Sequence, residues 1–207
     1  MTPSFKHGDP VFKSVFGADW DRLPPVMLRH YANRAFCNDL ARAEGVLKVE
    51  SSWLGRLLKP FLWLTGILVP YEGDNIPVTV DFVTKDSENS FAFDRVFHFP
   101  GRPPVRFYSK LIPVGGGEMV ERMNGGMCWR SEYSWNGHKI LLRHKGYALN
   151  IFHFYLPLPL TWLFGAGYAE ETPLDDESFS MLMEVRHPLF GKIFGYSGNF
   201  RMTKDVA

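Results

Sequence analysis

Cysteine is almost absent, with Cys37 and Cys128 the two in 207 residues. A chain of this length can bury a core unaided, so no disulfide scaffold is needed, and two thiols cannot make a zinc site by themselves. Charge of one sign is lacking as well. Twenty-three Lys+Arg stand against 22 Asp+Glu, a formal charge of +1, which excludes the basic footprint of a nucleic-acid binder. No long apolar run occurs either. The most hydrophobic stretch, Trp53 to Val69, is broken by Arg56, Lys59 and Pro60, and Phe61 to Val69 alone is too short to span a bilayer. The first residues, Met1 to Asp9, carry Lys6, His7 and Asp9 with neither a following apolar run nor a small-residue cleavage pattern, so the expected location is the cytoplasm. The signatures Gly-x-Ser-x-Gly, Gly-x-Gly-x-x-Gly, the P-loop and His-Glu-x-x-His are all missing, and no catalytic residue, metal or cofactor is expected from them.

What is present is an ordinary globular balance of 45% hydrophobic, 15% aromatic and 22% charged residues, which excludes intrinsic disorder. One domain over 1–207 is expected, helical at about 20–70 and a β meander at about 75–203. Prolines 24 and 25 suit the first turn of a helix over about 24–36, because their missing N–H would be unpaired there anyway. Gly45 to Glu50 reads as a short strand. Ser51 or Ser52 can then cap a second helix carrying Trp53, Leu54, Leu57 and Leu58, which Pro60 kinks or ends. Beyond Pro70, short β-branched and aromatic runs alternate with turn residues, predicting strands at 77–84, 91–99, 105–113, 118–123, 127–135, 139–149, 178–187 and 192–202. Gly115-Gly116-Gly117, Asp175-Asp176 and Asn136-Gly137 mark the turns, the last as a type I′ hairpin. So many antiparallel neighbours expose two edges unless the sheet curls or closes. The predicted fold is therefore α+β and mainly β, a strongly curved antiparallel meander forming a barrel or half-barrel. A lipocalin-like form ranks ahead of a helix-grip one, because the chain ends in a strand.

Residues two apart on a strand share a face. One face of the second of these strands is Phe91, Phe93, Arg95, Phe97 and Phe99, with a guanidinium amid phenylalanines. Arginine cannot shed its proton, so on an interior face it needs a carboxylate or a ligand anion. A structural Arg–Glu pair is the plainer reading, and Glu121, between Met119 and Met123, supplies a partner. Phe179, Met181, Met183 and Val185 lead on one face to His187. Single ionisable groups on otherwise apolar faces are the pattern of an apolar cavity with a few convergent polar groups. Trp53 to Val69 and Ile151 to Phe164 are each apolar enough to dock on a membrane interface or rim a barrel mouth, with packing into the core the preferred reading. Pro157 and Pro159 argue against a regular helix or central strand in the second.

The order of segments resembles a bacterial domain family of unknown function, found alone or fused behind NAD-binding domains like those of saccharopine dehydrogenase or sugar epimerases. The matching pieces run from Phe16-Gly17-Ala18-Asp19 and Leu23-Pro24-Pro25 through Arg95-Val96-Phe97, Phe107-Tyr108-Ser109, Glu121 and Gly126 to Leu156-Pro157-Leu158-Pro159, Glu170, His187-Pro188, Gly191 and Tyr196-Ser197-Gly198-Asn199-Phe200. The resemblance implies no activity, and any oxidoreductase role would need a separate partner protein. The leading expectation is a non-catalytic protein that binds an apolar or acyl ligand through Arg95, Phe97, Glu121, Glu170, His187 and Tyr196. One alternative is an enzyme using Glu121 or Glu170 with His187 as acid and base. Another is a module that docks on an oxidoreductase, or touches a membrane, through its apolar segments.

Overall fold

The computed structural model describes residues 8–64, 69–152 and 154–206. Its strands are β1 (Leu40–Ser51), β2 (Gly73–Val83), β3 (Phe91–Phe97), β4 (Val105–Gly115), β5 (Glu118–Arg122), β6 (Met127–Trp135), β7 (Ile140–Ile151), β8 (Phe154–Leu158), β9 (Ala166–Pro173), β10 (Ser178–His187) and β11 (Gly191–Lys204). Ten of them form a closed antiparallel barrel. The sheet runs from β6 back through β5, β4, β3, β2 and β1 to β11, β10, β9 and β7, and β6 pairs with β7 to close it. The closing strand β7 divides its outer edge, pairing through Ile140–Arg143 with β9 and through Tyr147–Ile151 with β8. Strand β8 is thus an edge, where Pro157 can be accommodated.

Period-two alternation sorts the side chains. On β3, Phe91, Phe93, Arg95 and Phe97 are buried while Asp94 and Val96 are half-buried. The outer wall carries cross-strand ion pairs such as Arg42 with Asp81 and Arg106 with Asp94, each worth about 0–1 kcal/mol at an exposed site. Inside, the long strands β1 and β11 approach each other closely through glycines. The ring of Phe200 covers Gly45, its register partner, and the backbone of Val46 crosses hard against Gly198.

The chain segment ahead of β1 plugs one end of the barrel. Helix α1 (Lys13–Phe16) and helix α2 (Pro25–His30) pack Phe12 against Tyr31, Phe91 and Tyr133, with ring centroids 4.3 to 5.2 Å apart. Helix α2 is shorter than the sequence predicts. It stops at Tyr31 because the following residues are recruited elsewhere: the Asn33 amide donates to the Phe82 carbonyl, and Arg34 grips Asp39 with both its backbone N–H and its guanidinium.

Connections β1–β2, β3–β4, β5–β6, β7–β9 and β10–β11 all fall at the opposite end, the mouth. There α3 (Trp53–Leu64) starts on Ser52, whose hydroxyl accepts the Gly55 N–H, and runs on through Pro60. The β7–β9 connection contains β8 and α4 (Thr161–Phe164). Both long apolar segments are thus only partly core. Leu54, Leu58, Leu158 and Leu160 pack on it, whereas Trp53, Leu57, Phe152, Phe154 and Trp162 stand exposed. The remaining residues 65–68 of the first segment lie outside those described.

Three local expectations change. The short strand at Gly45–Glu50 is the later half of the 12-residue β1, and β9 was hidden by its acidic residues. The Asn136-Gly137 turn is a four-residue loop in place of a type I′ turn. Gly137 alone of that pair has positive φ, and the Asn136 side chain accepts the His138 and Lys139 N–H groups instead. The Gly115–Gly117 run does make its hairpin with all three glycines at positive φ.

A methyl group on Gly198 would lie 2.0 Å from the Val46 carbonyl oxygen. Gly198→Ala is therefore expected to lower stability by about 1–3 kcal/mol in urea unfolding. Ser197→Ala, one position along, should stay within about 0.5 kcal/mol.

Candidate functional site

Alternation and closure send three sets of polar side chains into one interior. The first crosses three neighbouring strands. Arg95 on β3 donates from Nη1 to Ser109 Oγ on β4 at 2.9 Å, and that hydroxyl donates to Glu121 Oε1 on β5 at 2.5 Å. Arg95 Nη2 lies 3.5 Å from the same carboxylate oxygen. The guanidinium also lies over the ring of Phe93 at 4.3 Å and near that of Phe107 at 5.3 Å. Arg95 and Glu121 are both buried, so the structural Arg–Glu pair is realised, with Ser109 between its members.

The second set joins the plug to the wall. Tyr31, where α2 ends, donates its hydroxyl to Glu171 Oε2 on β9 at 2.6 Å. His30 beside it is 2% exposed and lies against Tyr31, Phe82 and Phe179, with centroids 4.2 to 4.8 Å away. Its Nδ1 is 3.6 Å from Glu171 Oε2, beyond hydrogen-bond reach. Neither ring nitrogen of His30 has a hydrogen-bond partner among the described residues. Burial, reinforced by the Arg95 charge, lowers the His30 pKa to about 3. Burial also raises that of Glu171 to about 7, against the opposing effects of Tyr31 and Arg95. The two therefore face each other as a neutral imidazole and a carboxyl close to its midpoint, and not as an ion pair.

The third set is Tyr133 on β6 and Tyr196 on β11, whose hydroxyls bond to none of the described residues. Burial raises both pKa values, with Glu121 and Glu171 adding to the rise. All three sets border a cavity with about 70 Å³ open to the centres of water molecules. Its remaining wall is apolar. Phe97, Met123, Trp129, Met181, Met183 and Phe194 lie along it, and Val69 meets it at the mouth.

Of the residues the sequence singled out, Arg95, Phe97, Glu121 and Tyr196 come together around this cavity. Glu170 and His187 do not border it. Glu170 lies on the other face of β9, holding Lys139 Nζ and the Tyr168 hydroxyl. His187 ends the Phe179–Val185 face as the last residue of β10, at the mouth, where its Nδ1 accepts the Leu189 N–H and its ring lies 4.9 Å from that of Phe190. The acid–base set Glu170 with His187 is therefore not assembled. Sequence reasoning missed His30 and Glu171. The signal for Glu171 was the alternation Gly167, Ala169, Glu171, small residues opposite a bulky wall: Trp129 fills the space where Gly167 has no side chain.

The family described as Domain of unknown function (DUF4166) matches residues 23–200. Two solved structures are similar at low identity. The crystal structure of Rv2717c from M. tuberculosis shares 12% identity at a TM-score of 0.42, covering 91% of this chain and 99% of its own. That of a mutant of the fluorescent protein UnaG shares 10% at 0.34, covering 79% and 95%. No curated protein matches the sequence.

Removing Arg95 strands a buried carboxylate, so Arg95→Met should cost about 3–5 kcal/mol, and adding Glu121→Gln should restore a large part of it. Denaturant unfolding of the two single variants and the double one reads the coupling. The pH dependence has two opposed parts. The raised Glu171 pKa makes the fold lose stability as pH rises from about 4.5 to about 7, because the unfolded chain ionises first. The lowered His30 pKa makes it lose stability as pH falls from about 6.5 toward about 3, because the unfolded chain takes up the proton. Glu171→Gln should abolish the first loss and His30→Phe the second, each on the order of 3 kcal/mol, measured as unfolding free energy across pH 4 to 8.

Proposed function

This chain belongs to the DUF4166 family of domains of unknown function, a premise that supplies no activity, and from its own geometry we propose that it binds a compact, mainly apolar small molecule inside the barrel. The observation that carries this is His30. A buried polar group left without a partner costs on the order of 1–3 kcal/mol, yet here both ring nitrogens lack a partner among the described residues, in a side chain that borders an internal cavity. Tyr133 and Tyr196 add two more unengaged hydroxyls, and Glu171 close to its midpoint adds a carboxyl able to give or take a proton. Four such groups in an apolar wall are the makings of a ligand's polar anchor.

Arg95 is already neutralised by Glu121, so the site calls for a ligand whose polar group is a neutral carbonyl, hydroxyl or protonated acid. An obligate anion would leave a net negative charge buried. Space limits the ligand as well. A cavity of this measure holds about five to seven waters, at roughly 10–15 Å³ each, which suits a ring system or a short acyl group. A longer chain needs Met123, Met181 and Met183 to move, and methionine yields more readily than branched side chains. A second reading, proton transfer on the bound molecule, is favoured by one observation: Glu171 has its pKa near 7 within reach of the same cavity.

Native mass spectrometry of freshly purified protein, set against the denatured mass and followed by organic extraction, is expected to release a small apolar molecule. If the barrel arrives empty, it should take up the neutral probe N-phenyl-1-naphthylamine, with His30→Phe weakening uptake about tenfold, the worth of the one hydrogen bond that the probe's single N–H can make. A barrel that arrives empty and takes up no probe would contradict the proposal.

A further inference from the structure

The mouth of the barrel is built unlike the rest of the surface. Ten of the thirteen large apolar side chains that stand exposed among the described residues lie at this end. They come from separate connections that the topology brings together. Helix α3 contributes Trp53 and Leu57, the latter 70% exposed. The β10–β11 turn contributes Leu189 and Phe190, and the rings of Phe190 and Trp53 meet at 5.9 Å. The β7–β8 hairpin presents Phe152 and Phe154, which are 89% and 79% exposed, and α4 adds Trp162. Helix α4 is tied to the turn, since the backbone at Gly165 lies directly against Arg186 and His187. A monomer rarely gathers so much exposed apolar surface at one end without a use for it.

Charge separates the two ends of the barrel. The connections at the mouth carry Arg56, Lys59 and Arg102 against Glu72, a net of +2. The loops between strands at the plugged end carry Asp86, Glu88, Asp175, Asp176 and Glu177 against Lys85 and Lys139, a net of −3. Tryptophan and phenylalanine beside arginine and lysine are the side chains that settle at the boundary between headgroups and acyl chains, and basic residues there are drawn to anionic lipid. The cavity reaches this same end through Val69, Met123, Trp129 and Phe194, so a bilayer against the rim would face the way in.

We propose that the barrel docks mouth-first on an anionic lipid bilayer, with the exposed apolar residues of α3, the β7–β8 hairpin, α4 and the β10–β11 turn entering the interface and the acidic plugged end facing away. The inference rests on the rim alone and holds whether or not the cavity carries a ligand. A polar face of the same shape would gain nothing from lipid, which makes the apolar residues the ones to test.

The experiment is flotation with vesicles of phosphatidylcholine alone and of phosphatidylcholine with phosphatidylglycerol, using the wild type and the triple variant Phe152→Ser, Phe154→Ser, Trp162→Ser. The wild type is expected to float with the anionic vesicles, less as salt is raised, and at least tenfold less with the neutral ones. The triple variant should bind the anionic vesicles at least tenfold more weakly while its melting temperature stays unchanged, these side chains being largely in water already. Brominated lipid should quench the wild-type tryptophan fluorescence. Failure of the wild type to float with anionic vesicles, or equal flotation by the triple variant, would overturn the proposal. So would a concentration-dependent dimer in sedimentation that the same substitutions abolish, because the rim would then be a protein interface.

Discussion

Pairing of β6 with β7 closes the ring of strands, and closure turns the alternation of every strand into an inside and an outside. Arg95 meets Ser109 and Glu121 only because β3, β4 and β5 are neighbours in register and all three residues point inward. The plug then has to fit what closure leaves. Helix α2 ends where it does so that His30 and Tyr31 can enter the barrel beside Glu171, contributed by the far side of the ring.

An interior of this kind is mostly self-satisfied, and the part that is not carries the functional argument. Arg95 and Glu121 answer each other, and Tyr31 answers one oxygen of Glu171. His30, Tyr133 and Tyr196 border the cavity, and their side chains have no hydrogen-bond partner among the described residues. The low dielectric that makes an unpartnered imidazole costly also keeps it neutral and keeps Glu171 close to its midpoint. The site therefore offers neutral hydrogen-bonding groups in an apolar wall, which selects a ligand with a small polar head and a compact apolar body. The exposed rim and the charge separation between the ends are consistent with a molecule that meets its ligand where apolar compounds are held.

Much of the barrel was legible in the sequence because period-two alternation survives in single strands. Phe91 to Phe99 declared both its buried face and the arginine on it, and the Met119–Met123 face declared Glu121. What was hidden depended on partners far along the chain. Glu170 and Glu171 are adjacent and chemically alike, and only the register of β9 against β7 and β10 decides which one is buried. His30 reads as the polar end of a surface helix until the helix is seen to cap the barrel. His187 lies on the correct face but at the last position of β10, where the turn claims its ring. The two apolar segments read as core by composition, and the topology instead distributes them around an open end.

On the proposed function, His30 is completed by a molecule occupying the cavity. A crystal structure of freshly purified protein, at a resolution that orders water, tests it directly. Continuous density is expected in the barrel, with a polar atom within hydrogen-bond distance of a His30 ring nitrogen. Isolated waters alone at that position, or an interior collapsed so that His30 bonds to the protein itself, would contradict it.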